Sequence, residues 1–177
     1  MLEKYVGNAD VVIVPSQIDQ LPVRIIAENC FDGHVEILKV VLPDTVRTIE
    51  YRAFYGCSHL REMNFPDGLK EIGEWCFSHT AIPKVMLPDS VKKLGDGAFY
   101  SCTKLETVVL SPNVQALGED TFRKCVRLKS VTIPSERIDI DIKAFEEKCK
   151  ATIIGVPGSY AERYAKAMGI HFEPIEQ

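Results

Sequence analysis

Phenylalanine recurs along this chain at Phe31, Phe54, Phe77, Phe99, Phe122 and Phe145, at spacings of 23, 23, 22, 23 and 23 residues. A fixed period of that size constrains the fold more than any composition does. A unit so short cannot bury its own apolar face, so successive units must stack and share one continuous core. The rest of each unit keeps the same register. Seventeen residues before the Phe stand Ile37, Leu60, Ile82, Leu105 and Leu128; fourteen before stand Val40, Met63, Val85, Val108 and Val131. Twelve before come Leu42, Phe65, Leu87, Leu110 and Ile133, and five before come Ile26, Ile49, Ile72, Leu94, Leu117 and Ile140.

Within each unit the stretch leading to Pro alternates apolar and polar, which predicts a short parallel strand with Val108 and Leu110 inward and Thr107 and Val109 outward. Proline closes the strand because it cannot donate to a ladder. A second extended contact is expected at Val-x-x-Ile segments such as Val91 to Leu94. Gly73, Gly95 and Gly118 follow, where a bend free to take positive φ is expected. Around the Phe there is room for only a single α or 3-10 turn. In the sixth unit Arg137 stands where the others carry Val or Leu, and the alternation of Arg137 to Ile142 predicts a slipped or extended strand.

Read as L-x-x-V-x-L-P, then V-x-x-I-G, then A-F-x-x-C, the units resemble the BspA-like leucine-rich repeat family over roughly residues 11 to 175. The expected fold is an α/β solenoid: a right-handed leucine-rich-repeat stack of about six coils with short parallel strands, single helical turns and a C-terminal capping helix. One domain, 1–177, suffices, with an N-terminal cap at 1–10, repeats at 11–150 and a C-terminal cap at 151–177. Leu2 and Tyr5 are the expected inward groups of the first cap. The longer turn between Pro15 and Val23 is similar to the insertion that often marks the opening coil of the family. In the tail, Ser159-Tyr160-Ala161-Glu162 reads as a capping box for a helix near 159–168, with Tyr160, Tyr164 and Met168 on one face and Gly169 ending it.

The six cysteines, Cys30, Cys57, Cys76, Cys102, Cys125 and Cys149, fall one per coil, and the reading preferred is a small apolar filler in one core layer. Disulfides are the rival, with Cys102 and Cys125 the pair at equivalent sites in adjacent coils. No Cys-x-x-Cys or Cys/His cluster suggests zinc. His34, His59, His79 and His171 sit at different offsets from the Phe, so stacking does not align them. Asp139 and Asp141 could touch a hard cation, though a solvated acidic edge is commoner, and Cys76 beside Trp75 reads as packing. Without a phosphate loop, nucleophile elbow or His-Glu-x-x-His, no catalytic, cofactor or metal residue is assigned and an enzyme is not expected.

A net charge of −4 with scattered Lys and Arg lacks the basic footprint that nucleic acid requires. No apolar run reaches membrane-span length, so no membrane insertion is expected. The N-terminus does not read as a signal peptide, so the chain as written is expected in the cytoplasm, or outside the cell if it is a fragment of a longer exported protein. What remains is surface. The outward row thirteen before each Phe is Val41, Asn64, Met86, Val109 and Thr132, and its neighbour fifteen before is Lys39, Glu62, Lys84, Thr107 and Ser130. Mostly uncharged groups side by side suit contact with a protein partner, although parallel strands tolerate β-branched residues anywhere. The resemblance implies adhesion or host-protein binding for larger exported members. The alternative is a structural module that stacks on itself through its first coil, giving a monomer or weak homo-oligomer.

Overall fold

The computed structural model describes residues 1–147 and 149–176. In chain order it contains β1 (Val11–Ile13), a hairpin of β2 (Gln17–Ile18) and β3 (Leu21–Pro22), β4 (Ile25–Ile26), β5 (Lys39–Val41), β6 (Thr48–Ile49), β7 (Glu62–Met63) and β8 (Glu71–Ile72). Then follow β9 (Lys84–Met86), β10 (Lys93–Leu94), β11 (Thr107–Val109), β12 (Ala116–Leu117), β13 (Ser130–Ile133), β14 (Asp139–Ile140), β15 (Thr152–Gly155), α1 (Tyr160–Met168) and β16 (His171–Pro174). The first parallel face is ordered β1-β5-β7 and β9-β11-β13-β15-β16, and two-residue strands form a second face ordered β4-β6-β8-β10 and β12-β14. The coils wind right-handed, as crossovers between parallel strands do.

The third side holds the column of phenylalanines. Phe31, Phe54, Phe77, Phe99 and Phe122 lie stacked with centroids 4.8, 5.4, 5.5 and 5.9 Å apart and planes within 11° of parallel. All five are fully buried. Each N–H donates to the next coil: Phe31 to Ala53 O at 2.8 Å, Phe54 to Cys76 O at 2.9 Å and Phe77 to Ala98 O at 2.8 Å. The turn around each Phe is a run of i→i−3 hydrogen bonds, such as Cys30 N to Ala27 O and His34 N to Phe31 O, broken by left-handed residues. These recur two before the Phe (Asn29, Arg52, Trp75, Gly97, Asp120) and two after it (Gly33, Gly56, His79, Ser101, Lys124). Two reversals per coil turn the Phe amide toward its neighbour's carbonyl, although a left-handed non-glycine costs about 1–2 kcal/mol.

Gly73, Gly95 and Gly118 are therefore not the positive-φ sites expected of them. They lie close against the preceding coil: a Cβ at Gly73 would stand 2.6 Å from the Glu50 carbonyl carbon, at Gly95 it would meet the Glu74 backbone, and at Gly118 the Asp96 side chain. The sixth coil also differs from expectation. Asp139 and Ile140 hold register with Ala116 and Leu117, with no slip, because Ile138, one residue later than the usual Val or Leu, fills the core while Arg137 stays exposed.

Both ends of the stack are covered in part. Leu2 bridges to Ile26, its N–H donating to Ile25 O and its carbonyl accepting from Ala27 N, both at 2.9 Å, and the Tyr5 ring lies 5.1 Å from that of Phe31. At the other end α1 buries Ala161, Tyr164 and Ala165, so of the three residues expected to share the inward face only Tyr164 does. Tyr160 and Met168 are 39% and 37% exposed, while Ala161 sits against β15, its Cβ 3.6 Å from where a Cβ on Gly155 would stand. Ser159 caps α1 by accepting from Glu162 N, the Glu162 carboxylate accepts from Gly158 N at 2.6 Å, and Gly169 ends it at φ 67°. β16 then pairs with β15 in parallel.

Candidate functional site

The first face brings the two outward rows together as stacking requires. Val109 lies in register between Met86 and Thr132, and Thr107 between Lys84 and Ser130. On the N-terminal side Lys39 faces Glu62 across β5 and β7, and the two form an ion pair at 3.1 Å. Met86 is 56% exposed, whereas Val41, Val109, Thr132, Thr107 and Ser130 are half-buried by their neighbours. Asn64 plays a different part from its row-mates. Its amide closes two bonds on the Leu42 backbone, accepting from Leu42 N at 2.8 Å and donating to Leu42 O at 2.9 Å, in place of strand pairing.

The row extends further than the offset count reached. Ile13 pairs with Val41 and Ile154 with Thr132, and Ile13 is 72% exposed. Counting back from Phe missed Ile13 because the β2–β3 hairpin lengthens the first coil, and Ile154 because the Phe that follows it, Phe172, lies eighteen residues on, outside the period. The usable signal was the Val-x-Ile alternation of β1 and the Thr-Ile-Ile run of β15.

The sheet is interrupted between β7 and β9. The coil from Phe77 to Phe99 is one residue short, and the deficit falls between Thr80 and Ile82, where the preceding coil runs Cys57 to Leu60. At the position where Arg61, Glu106 and Lys129 donate an N–H to the previous coil, at 3.0, 2.8 and 2.8 Å, stands Pro83, which has none to give. β7 consequently pairs only with β5, and β9 only with β11. A cleft of about 460 Å³ opens there, lined by Lys39, Val41, Arg61, Glu62, Met63, Asn64, Pro83 and Lys84.

The histidines are apart. His34 meets the Glu36 carboxylate at 2.6 Å and lowers its pKa by that hydrogen bond, His59 meets the Val35 carbonyl, His79 packs edge-on between Tyr55 and Tyr100, and His171 meets Glu173. The thiols are free, and five of the six are buried. Those of Cys57, Cys102 and Cys125 each donate to a Phe carbonyl of the preceding coil, at 3.0, 3.0 and 3.1 Å. Burial pushes Cys57 up to about 12 and Cys102 up to about 11, away from the thiolate a nucleophile needs. Among the described residues no three His, Cys, Asp or Glu side chains are grouped to hold a metal, and no helix is long and apolar enough to cross a membrane.

Short parallel strands on one face, a phenylalanine column on another and a capping helix define a leucine-rich-repeat solenoid, a class whose working part is its surface. The chain belongs to the BspA type leucine rich repeat family, whose repeat region, in six copies, matches residues 24–152. Among solved structures it is similar to the T. pallidum leucine rich repeat protein TpLRR, at 31% identity and a TM-score of 0.62, covering 97% of this chain and 88% of that one. It also shares its fold with the pneumococcal vaccine antigen PcpA, at 17% identity and a TM-score of 0.76, covering 96% of this chain and 42% of that one. No curated protein matches it.

Proposed function

We propose that the protein is a non-catalytic scaffold that captures a protein partner on the first strand face, through Val41, Met86, Val109 and Thr132 together with Ile13 and Ile154. The observation that carries this is the contrast between the two faces. The outward row of the first, from Ile13 to Ile154, carries no charge and is in register from β1 to β5 and from β9 to β15, whereas that of the second runs Ile25, Thr48, Glu71, Lys93, Ala116, Asp139. Interface cores are depleted of charge, so the first face is the better docking surface. Lys39, Glu62, Lys84, Thr107 and Ser130 form its polar border, and Asn64 its brace. Adhesion to a host protein is the form this takes if the chain works outside the cell.

One observation favours a second reading, self-association. β1 pairs on one side only, and Val11, Ile13, Ile18 and Leu21 around it are 45%, 72%, 38% and 69% exposed, an edge of the kind that invites another strand.

The test is Met86→Glu with Val109→Lys. These are register neighbours, so the new charges face each other and the sheet keeps its thermal midpoint. Partner capture is expected to fall at least about tenfold, a change of about 1.4 kcal/mol, while charge changes at Lys93 and Gln115 leave it intact. Loss only from Lys93 and Gln115 moves the site to the other face. Loss from neither, with association between copies abolished by Ile13→Lys, leaves the second reading.

A further inference from the structure

We propose that the notch between β7 and β9 is the anchor of the strand face and takes a carboxylate side chain from an extended, acidic segment of the protein partner. This rests on the strand-face reading and adds the chemistry of what docks there. The notch is built into the chain: one residue is missing before Ile82, and Pro83 replaces the donor that would have closed the ladder.

Its charge gives the occupant. Arg61 and Lys84 stand exposed on its two sides. Among the described residues neither has a carboxylate within ion-pair distance, whereas Lys39 is already matched by Glu62. In a chain of net charge −4 this is a local reversal of sign, which draws an acidic segment to this point of the face and repels a basic one. Half-buried Met63 and Val41 supply an apolar lining, so a carboxylate entering between the cations gives up water and gains an arginine able to bind it bidentately. An extended segment sends alternate side chains the same way. One that puts an acidic group into the notch therefore lays its side chains two and four residues further on over Met86 and Val109, and an acidic residue followed by apolar ones at every second position, Glu-x-Val-x-Val, is the pattern that fits.

A fluorescein-labelled peptide of pattern Glu-Ser-Val-Ser-Val, and a sister peptide with Lys in place of the Glu, measure this by anisotropy. The acidic peptide is expected to bind and the basic one not, with binding weakened about tenfold or more by Arg61→Glu with Lys84→Glu and by raising salt to about 0.5 M. Lys93→Glu is the control and is expected to change nothing. Absence of binding by the acidic peptide, equal binding of the two peptides, or indifference to the Arg61 and Lys84 changes overturns the proposal. If the acidic peptide binds and is lost with Met86→Glu and Val109→Lys but not with the notch variant, the face stands and the notch falls.

Discussion

Replacing Phe99 by Ala tests the column from which the whole fold follows. Phe99 is fully buried between Phe77, 5.5 Å away at 11°, and Phe122, 5.9 Å away at 6°. Truncation removes a buried aromatic at about 3–5 kcal/mol, and two stacked pairs worth about 0.5–1.5 kcal/mol each lie within that loss. With rigid coils on either side, the cavity cannot collapse, so the expected cost is at the top of the range, about 5 kcal/mol. Phe145→Ala should cost less, toward about 3 kcal/mol, because its neighbours Phe122 and Tyr164 are tilted at 36° and 43° and the capping helix can settle. A repeat stack is held together by nearest-neighbour interfaces, so weakening the middle should also split unfolding in two. Urea denaturation followed by fluorescence of Trp75, the single tryptophan, reports the coils on one side, while circular dichroism reports all of them. The two curves should coincide for the wild type and separate for Phe99→Ala. A loss under about 1 kcal/mol, no larger than a surface substitution such as Val126→Ala gives, would refute the packed column.

Ser101 sits at φ 57° with its N–H donating to Arg123 O; Ser101→Gly keeps that bond and should stabilise by up to about 1 kcal/mol, seen as a raised thermal midpoint, whereas Ser101→Val should lower it. Alkali should destabilise the fold. The thiols of Cys57 and Cys102 ionise near 9 in the unfolded chain but only at about 12 and about 11 when folded, so the unfolded state holds fewer protons above pH 9. Their contribution is whole below pH 9 and falls as pH rises, by about 1.4 kcal/mol per unit per thiol; a melt series from neutral to alkaline pH in wild type and Cys102→Ala measures it, the variant showing the shallower decline. Thiol titration of the native protein should find only half-buried Cys149 reacting promptly, and all six cysteines after denaturation without reductant; fewer than six would reveal a bridge.

Periodic positions were readable because a stack imposes identical demands on each coil. The Phe column, the inward Val and Leu rows and the outward row all follow from counting, since burial repeats with the period. What counting could not see depends on contacts between coils. Gly73, Gly95 and Gly118 look like turn glycines in sequence, yet their reason lies in the previous coil: its backbone beside Gly73 and Gly95, and the Asp96 side chain beside Gly118. The left-handed sites carry residues as different as Trp75, His79 and Lys124, so no residue type marks them. In the same way the coil shortened before Ile82 is visible as a spacing of 22, but that it parts the sheet emerges only when Pro83 is set against the amides of Arg61 and Glu106. Asn64 shares an offset with Val41 and Met86, and only its bonds to Leu42 separate brace from contact residue.

The strand face as the docking surface is tested most directly by placing a photo-crosslinking amino acid at Met86, at Thr132 and, as controls, at Lys93 and Gln115, then irradiating each variant with its captured partner. Adducts from Met86 and Thr132, with none from Lys93 or Gln115, are the expected result. Adducts from Lys93 and Gln115 alone would place the partner on the second face and contradict the proposal.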